Sequence, residues 1–222
     1  MLHSKRQFIS QSLILASGLC LPQRAAAVDL ERTPIMDLGP FYPIEKPVES
    51  DNDLTRLAGH SDRAKGQVLE LTGRVLTREG NPVPNARIEL WQANAAGRYS
   101  HVGDKHDAPL DTNFQGYGVQ MTDGDGRYRF LTIKPGPYPA RDFQRSPHIH
   151  FDVAGKMDRL ITQMYFPGDP LLEQDRVLAG NLLSNSISGG FPASLFGKLT
   201  PSVATAEAGA TLCVFDIVLR NG

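Results

Sequence analysis

Glycine and proline punctuate this chain so often that its apolar residues occur only in short runs. Residues 68–76 stop before Gly80-Asn81-Pro82, residues 86–92 run into a turn ending at Gly97, and residues 127–133 follow Asp123-Gly124-Asp125-Gly126. Further short runs lie at 149–153, 160–166 and 212–219. Runs of this length, rich in β-branched and aromatic residues and bounded by turn formers, specify strands rather than helices. The pattern predicts a mostly β chain: an antiparallel β-sandwich core with long loops. An irregular N-terminal wrap is expected over 28–66, one helix at 171–179 after Pro170, and loops at 184–190 and 200–209. Asp123-Gly124-Asp125-Gly126 reads as a hairpin turn, because no glutamate closes it as a calcium loop requires.

Two parts of the chain are expected. Lys5-Arg6-Gln7-Phe8-Ile9, the apolar stretch 12–16 and Ala25-Ala26-Ala27 carry the charge, apolar core and small-residue end of a signal peptide over 1–27, twin-arginine-like in its Lys-Arg-x-Phe-Ile start. Residues 28–222 form the expected folded domain, exported to the periplasm or secreted. Leu19 precedes Cys20 where a lipid anchor takes a small residue, so no membrane anchor is expected. Cys213 then stands alone in an apolar strand, a packed thiol with no disulfide partner. Lysine and arginine number 23 against 24 acids, which offers no basic surface for nucleic acid.

His148 and His150 are two apart in Pro147-His148-Ile149-His150-Phe151, so a strand turns both imidazoles to one face. Imidazole suits iron, copper, zinc and nickel. Tyr138 sits between prolines in Pro137-Tyr138-Pro139, and Tyr99 follows the turn Asn94-Ala95-Ala96-Gly97-Arg98. A phenol has a pKa near 10, so only a strongly Lewis-acidic ion holds it as phenolate at neutral pH. Ferric iron does so. Three readings stay open on the residues alone: a ferric site, a zinc hydrolase built on the His-x-His strand with a third histidine or carboxylate, and a non-catalytic ligand-binding β-sandwich. His101 and His106 are the spare histidines, expected to be solvated. No Gly-x-Ser-x-Gly elbow or phosphate loop supports hydrolysis by serine or nucleotide chemistry.

The segments Trp91–Tyr99, Ala108-Pro109-Leu110-Asp111, Thr132–Pro139 and Pro147–Phe151, taken in order, resemble the intradiol ring-cleavage dioxygenases, most of all the protocatechuate 3,4-dioxygenase branch. Gly39-Pro40-Phe41-Tyr42-Pro43 and 160–166 extend the resemblance over most of the chain beyond the leader. It implies a non-haem Fe(III) held by Tyr99 and His150 in the equatorial plane and by Tyr138 and His148 on the axis. It implies that Tyr138 leaves the metal and takes a substrate proton, that Arg145 and Gln163 stand beside the substrate, and that Tyr42 and Trp91 border the pocket. The implied reaction inserts both atoms of O2 into a catechol, protocatechuate or a relative, and opens the ring to a cis,cis-muconate. Ala140 departs from the branch, which carries tryptophan there, and implies a reshaped pocket. Arg141 beside it either pairs with a substrate carboxylate or is solvated. Enzymes of that branch pair two different chains; here a homo-oligomer is left open.

Overall fold

The structure, a computed structural model, describes residues 29–187, 190–201 and 207–222, so the leader expected at 1–27 lies outside the described residues. Two sheets carry the fold. One is the antiparallel array β3 (Tyr117–Met121), β2 (Arg87–Trp91), β7 (His148–Ala154) and β8 (Arg159–Tyr165), in that spatial order. The other centres on β1 (Val68–Leu76). β4 (Arg127–Ile133) pairs antiparallel with β1 on one side, while β10 (Thr211–Val214) and β11 (Ile217–Val218) pair parallel with it on the other. β9 (Lys198–Pro201) borders β10. A small hairpin, β5 (Tyr138–Ala140) with β6 (Phe143–Arg145), stands apart from both sheets. The chain is mostly β, as expected, but the sheet around β1 is mixed rather than antiparallel.

The core forms between the sheets by alternation. Leu69, Leu71, Phe130, Ile88, Leu90, Ile149, Phe151 and Val153 are fully buried in one apolar cluster, joined by Cys213, Phe215, Ile217 and Leu219 from the C-terminal end. Burying a side chain of this size stabilises the fold by about 1.5–3 kcal/mol. In β7 the alternate residues, His148, His150 and Asp152, point away from that core. They are nonetheless buried, because other elements cover the outer face of the sheet.

Residues 29–66 supply part of that cover. They contain no strand among the described residues yet are tied down by backbone bonds, Met36 N to Ile161 O, Leu54 N to Leu131 O and Val119 N to Ser50 O. The helix α1 (Arg176–Ser184) supplies more, packing Leu178 and Leu182 with Met36, Tyr165 and Leu195. It begins later than 171 because Asp175 caps it, accepting from Val177 N and Leu178 N after a 3-10 turn over Leu172–Gln174. The run 212–219 breaks into two strands at Phe215-Asp216, where Phe215 O accepts from the Tyr128 hydroxyl and Asp216 accepts from Arg74 N. The turn at Asp123–Gly126 is no hairpin: β3 pairs with β2 and β4 with β1, so it carries the chain from one sheet to the other.

Candidate metal centre

The pairing register lays out the site. Trp91, His150 and Gln163 lie side by side across β2, β7 and β8, and His148 is opposite Tyr165. Trp91 stacks on the His150 ring with centroids 4.8 Å apart and planes 10° from parallel. Gly39 also lies against His150: its φ is 76°, and a Cβ there would stand 3.0 Å from the imidazole, so the position suits glycine. His148 and His150 have ring centroids 4.8 Å apart, at 73°.

The tyrosines come from separate loops. The turn after β2 carries Tyr99, whose N–H donates to buried Asp104 at 2.8 Å. The hairpin β5–β6 carries Tyr138, and the two phenol rings meet edge-on at 5.4 Å. The turn and hairpin pack closely: a Cβ at Gly97 would stand 2.1 Å from Pro137 O. Tyr99, Tyr138, His148 and His150, the four donors named from the sequence, are thus brought together and buried.

Their protonation follows from their surroundings. The His148 Nδ1 lies 2.6 Å from Ser146 O, which only accepts, so Nδ1 holds the proton and Nε2 stays basic. That Nε2 is 3.5 Å from the Tyr138 hydroxyl. Burial first, then the Arg145 charge, holds His148 well below the usual histidine range despite the Ser146 bond. Burial, then His148 and Arg145, does the same to His150. Burial, reinforced by Tyr138, pushes the Tyr99 phenol far up. Tyr138 is also raised by burial, against the pull of Arg145. Two neutral imidazoles and two phenols that resist ionisation are the resting set. The Tyr99 hydroxyl has no hydrogen bond of normal length among the described residues, although Tyr138 is near enough to act on it electrostatically.

Arg145 closes one side. Its Nη1 donates to the Tyr138 hydroxyl at 3.3 Å and its Nη2 to Gln163 Oε1 at 2.9 Å and the Tyr165 hydroxyl at 3.2 Å. Gln163 is held in turn by Asp37 O, 2.7 Å from its Nε2. Asp175 binds the Arg145 Nε through both oxygens at 3.0 Å. Sequence does not single out Tyr165 or Asp175: Tyr165 is one residue of the run 160–166, and nothing local to Asp175 points to Arg145, 30 positions away.

The pocket residues separate. Beside Tyr99 and Trp91 lies a cavity of about 280 Å³, walled also by Phe41, Gln92, His101 and Tyr117. Tyr42 stands behind Trp91, edge-on at 4.9 Å, and donates to Glu89 rather than lining the cavity. Ala140 is half-buried in the hairpin opposite Phe143, away from the lining, and Arg141 is exposed at the hairpin tip. His101 is not solvated as expected: its ring packs on Phe41 at 5.7 Å and its Nε2 is buried, because the N-terminal wrap folds over that loop. His106 is half-buried. Among the described residues no group of three or more His, Cys, Asp or Glu side chains is placed to hold a metal, so the third ligand of a zinc hydrolase is not supplied there.

A family model described as Dioxygenase matches residues 38–221. Over 190 residues the chain is 48% identical to the protocatechuate 3,4-dioxygenase beta chain of Burkholderia cepacia, covering 82% of this chain and 77% of that one. It is 36% identical over 201 residues to hydroxyquinol 1,2-dioxygenase of Corynebacterium glutamicum, covering 83% of this chain and 62% of the relative. Among solved structures, the dioxygenase domain of a dioxygenase carbohydrate-binding protein fusion from Streptomyces sp. SirexAA-E aligns with a TM-score of 0.63 at 25% identity, over 86% of this chain and all of that domain. Catechol 1,2-dioxygenase of Acinetobacter radioresistens aligns with a TM-score of 0.66 at 24% identity, over 87% of this chain and 64% of that one, a likeness of fold.

Proposed function

The chain belongs to the intradiol ring-cleavage dioxygenases, and from that premise we propose that it holds non-haem Fe(III) through Tyr99, Tyr138, His148 and His150 and cleaves a catechol between its two hydroxyl-bearing carbons. The observation that carries the reading is the convergence of two buried phenols and two neutral imidazoles on one spot, with an arginine bonded to one phenol. Burial alone keeps both phenols protonated. A trivalent cation held there would supply the charge that ionises them. Two phenolates and two neutral imidazoles leave ferric iron with a single net positive charge, which suits an anionic catecholate. The iron, when bound, supplies the activation of the catechol towards O2.

This chain's own residues do the rest. Tyr138 would accept a substrate proton at its phenolic oxygen, where the Arg145 Nη1 can donate to that atom in either protonation state. Arg145 keeps its proton at any working pH and holds positive charge where the ring and O2 develop negative charge. Gln163 and Tyr165 fix the guanidinium plane. Trp91, stacked on His150, keeps water from that imidazole. Both atoms of O2 enter the product, a cis,cis-muconate.

We take protocatechuate first among candidate catechols, a choice supported by the similarity to a protocatechuate 3,4-dioxygenase beta chain. The cavity of about 280 Å³ beside Tyr99 is of single-ring size, and Tyr138, Arg145 and Gln163 are not among the residues that wall it. Export remains part of the proposal, resting on the leader at 1–27. A homo-oligomer is the proposed assembly, in which this chain alone supplies all four ligands.

Visible absorption of the ferric-reconstituted protein tests the reading. A phenolate-to-iron band is expected at rest and should shift on anaerobic addition of protocatechuate, then catechol. Admitting O2 should yield one muconate per O2 consumed. In Tyr99→Phe the band should move, and turnover should fall by more than the roughly 10–100-fold typical of losing a group that merely supports a ligand. A protein still colourless after ferric reconstitution would sink the proposal.

A further inference from the structure

Asp175 lies 30 residues beyond Arg145, at the start of α1, and its side chain is fully buried. Each of its oxygens has its own set of donors. Oδ1 accepts from Arg145 Nε, Val177 N and Leu178 N. Oδ2 accepts from Arg145 Nε, Ser146 N and Ser146 Oγ. The carbonyl of the same Ser146 receives the His148 Nδ1 proton. One carboxylate therefore joins the first turn of α1, the guanidinium facing Tyr138, and the residue that orients His148.

Resting on the reading above, we propose that Asp175 is the positioning residue of this centre: it clamps Arg145 by Nε so that both terminal nitrogens are left for Tyr138, Gln163 and Tyr165, and it holds Ser146 where its carbonyl orients His148. Asp175 cannot itself meet substrate, since no part of its side chain is exposed. A cap alone does not call for a carboxylate. Asparagine caps helices as well as aspartate and can accept from the same backbone N–H groups. The negative charge matters to Arg145, because a buried guanidinium without an ion-pair partner is strongly disfavoured and moves towards another. The neighbouring acceptors are the phenolic oxygens of Tyr138 and Tyr165 and the Gln163 amide, so a released Arg145 disturbs the groups it serves.

The test is Asp175→Asn, which keeps the cap and removes the charge. The first arm uses the metal-free protein and does not depend on catalysis. The Arg145 Nε–H resonance, assigned by its loss in Arg145→Lys, should exchange slowly with solvent in the parent and rapidly in Asp175→Asn. An Nε–H equally protected in both would overturn the clamp. The second arm uses the iron-loaded enzyme. Asp175→Asn should lower kcat by up to about 100-fold, the scale of an ångström's misplacement, with a much smaller change in KM. The variant carrying both Arg145→Gln and Asp175→Asn should lose less than the product of the two single losses, since only the Ser146 limb is left to break once Arg145 is gone. Losses that multiply, or an Asp175→Asn enzyme as fast as the parent, would reduce Asp175 to a structural cap. If the parent fails to turn over any catechol, the proposed function falls while the first arm still decides the clamp. Should Asp175→Asn not fold, Asp175→Ser, also a helix cap, takes its place in both arms.

Discussion

Burying a hydroxyl without a hydrogen bond costs about 1–3 kcal/mol in proteins. Among the described residues the Tyr99 hydroxyl and the His150 Nδ1 lack a hydrogen bond of normal length, within one aromatic cluster. Such groups call for an explanation, and a centre adapted to a cation is one. It follows that Tyr99→Phe should leave the metal-free protein as stable as the parent or more so, while reducing the stabilisation gained from added Fe(III). Thermal melts with and without iron read both effects. Cys213 illustrates the inert case. Burial pushes its thiol up to about 12, so at pH 8 the thiolate is on the order of one part in ten thousand. Native protein should resist iodoacetamide at pH 8 and react at that site only once denaturant exposes it, as mass spectrometry would show. His148 and His150 were legible as candidate donors from their spacing, Tyr99 and Tyr138 only as phenols of suitable chemistry, and the resemblance to the dioxygenases joined the four into one set. Asp175 and Ser146 are ordinary residues by type, and only contact with Arg145 and His148 sets them apart.

At the scale of elements, the centre depends on two loops that must approach closely. The turn after β2 and the segment leading into β5 meet where Gly97, at φ 80°, faces Pro137 O. Gly97→Ala adds a methyl against backbone in a conformation that L side chains rarely adopt. The expected loss is about 1–3 kcal/mol, the usual cost of overpacking, read from urea unfolding. Because the clash pushes Pro137 and hence Tyr138, activity should fall even where the variant stays folded. Alternation in β7 was readable in advance, since residues two apart share a face whatever the fold. The short hairpin β5–β6 and β3 were not anticipated. Three-residue strands have too little pattern to register, and β3 carries Gly118 and Gln120 in place of a β-branched run. The hairpin nevertheless brings Arg145 opposite Tyr138.

For the whole molecule, the C-terminal segment closes the core. β10 and β11 lie parallel to β1, and Phe215 between them packs on Phe151 at 5.3 Å while its carbonyl takes the Tyr128 hydroxyl. Phe215→Ala should cost about 3–5 kcal/mol, the range for emptying a buried aromatic site. That is a large share of the roughly 5–15 kcal/mol that stabilises a typical domain. Calorimetry would register it as a fall in Tm, and a Tm unchanged from the parent would mean that the segment is not part of the core.

The sequence by itself determined the class of fold, because the spacing of glycine and proline limits how long any element can run. It also offered the candidate donors, because phenol and imidazole carry their preferences wherever they sit. Tertiary structure alone decided which way the C-terminal strands pair, that the outer face of the β7 sheet is sealed from water, and that a helix cap reaches the arginine. Each of those depends on contacts between residues far apart in the chain, and local pattern carries no record of such contacts until the chain has folded.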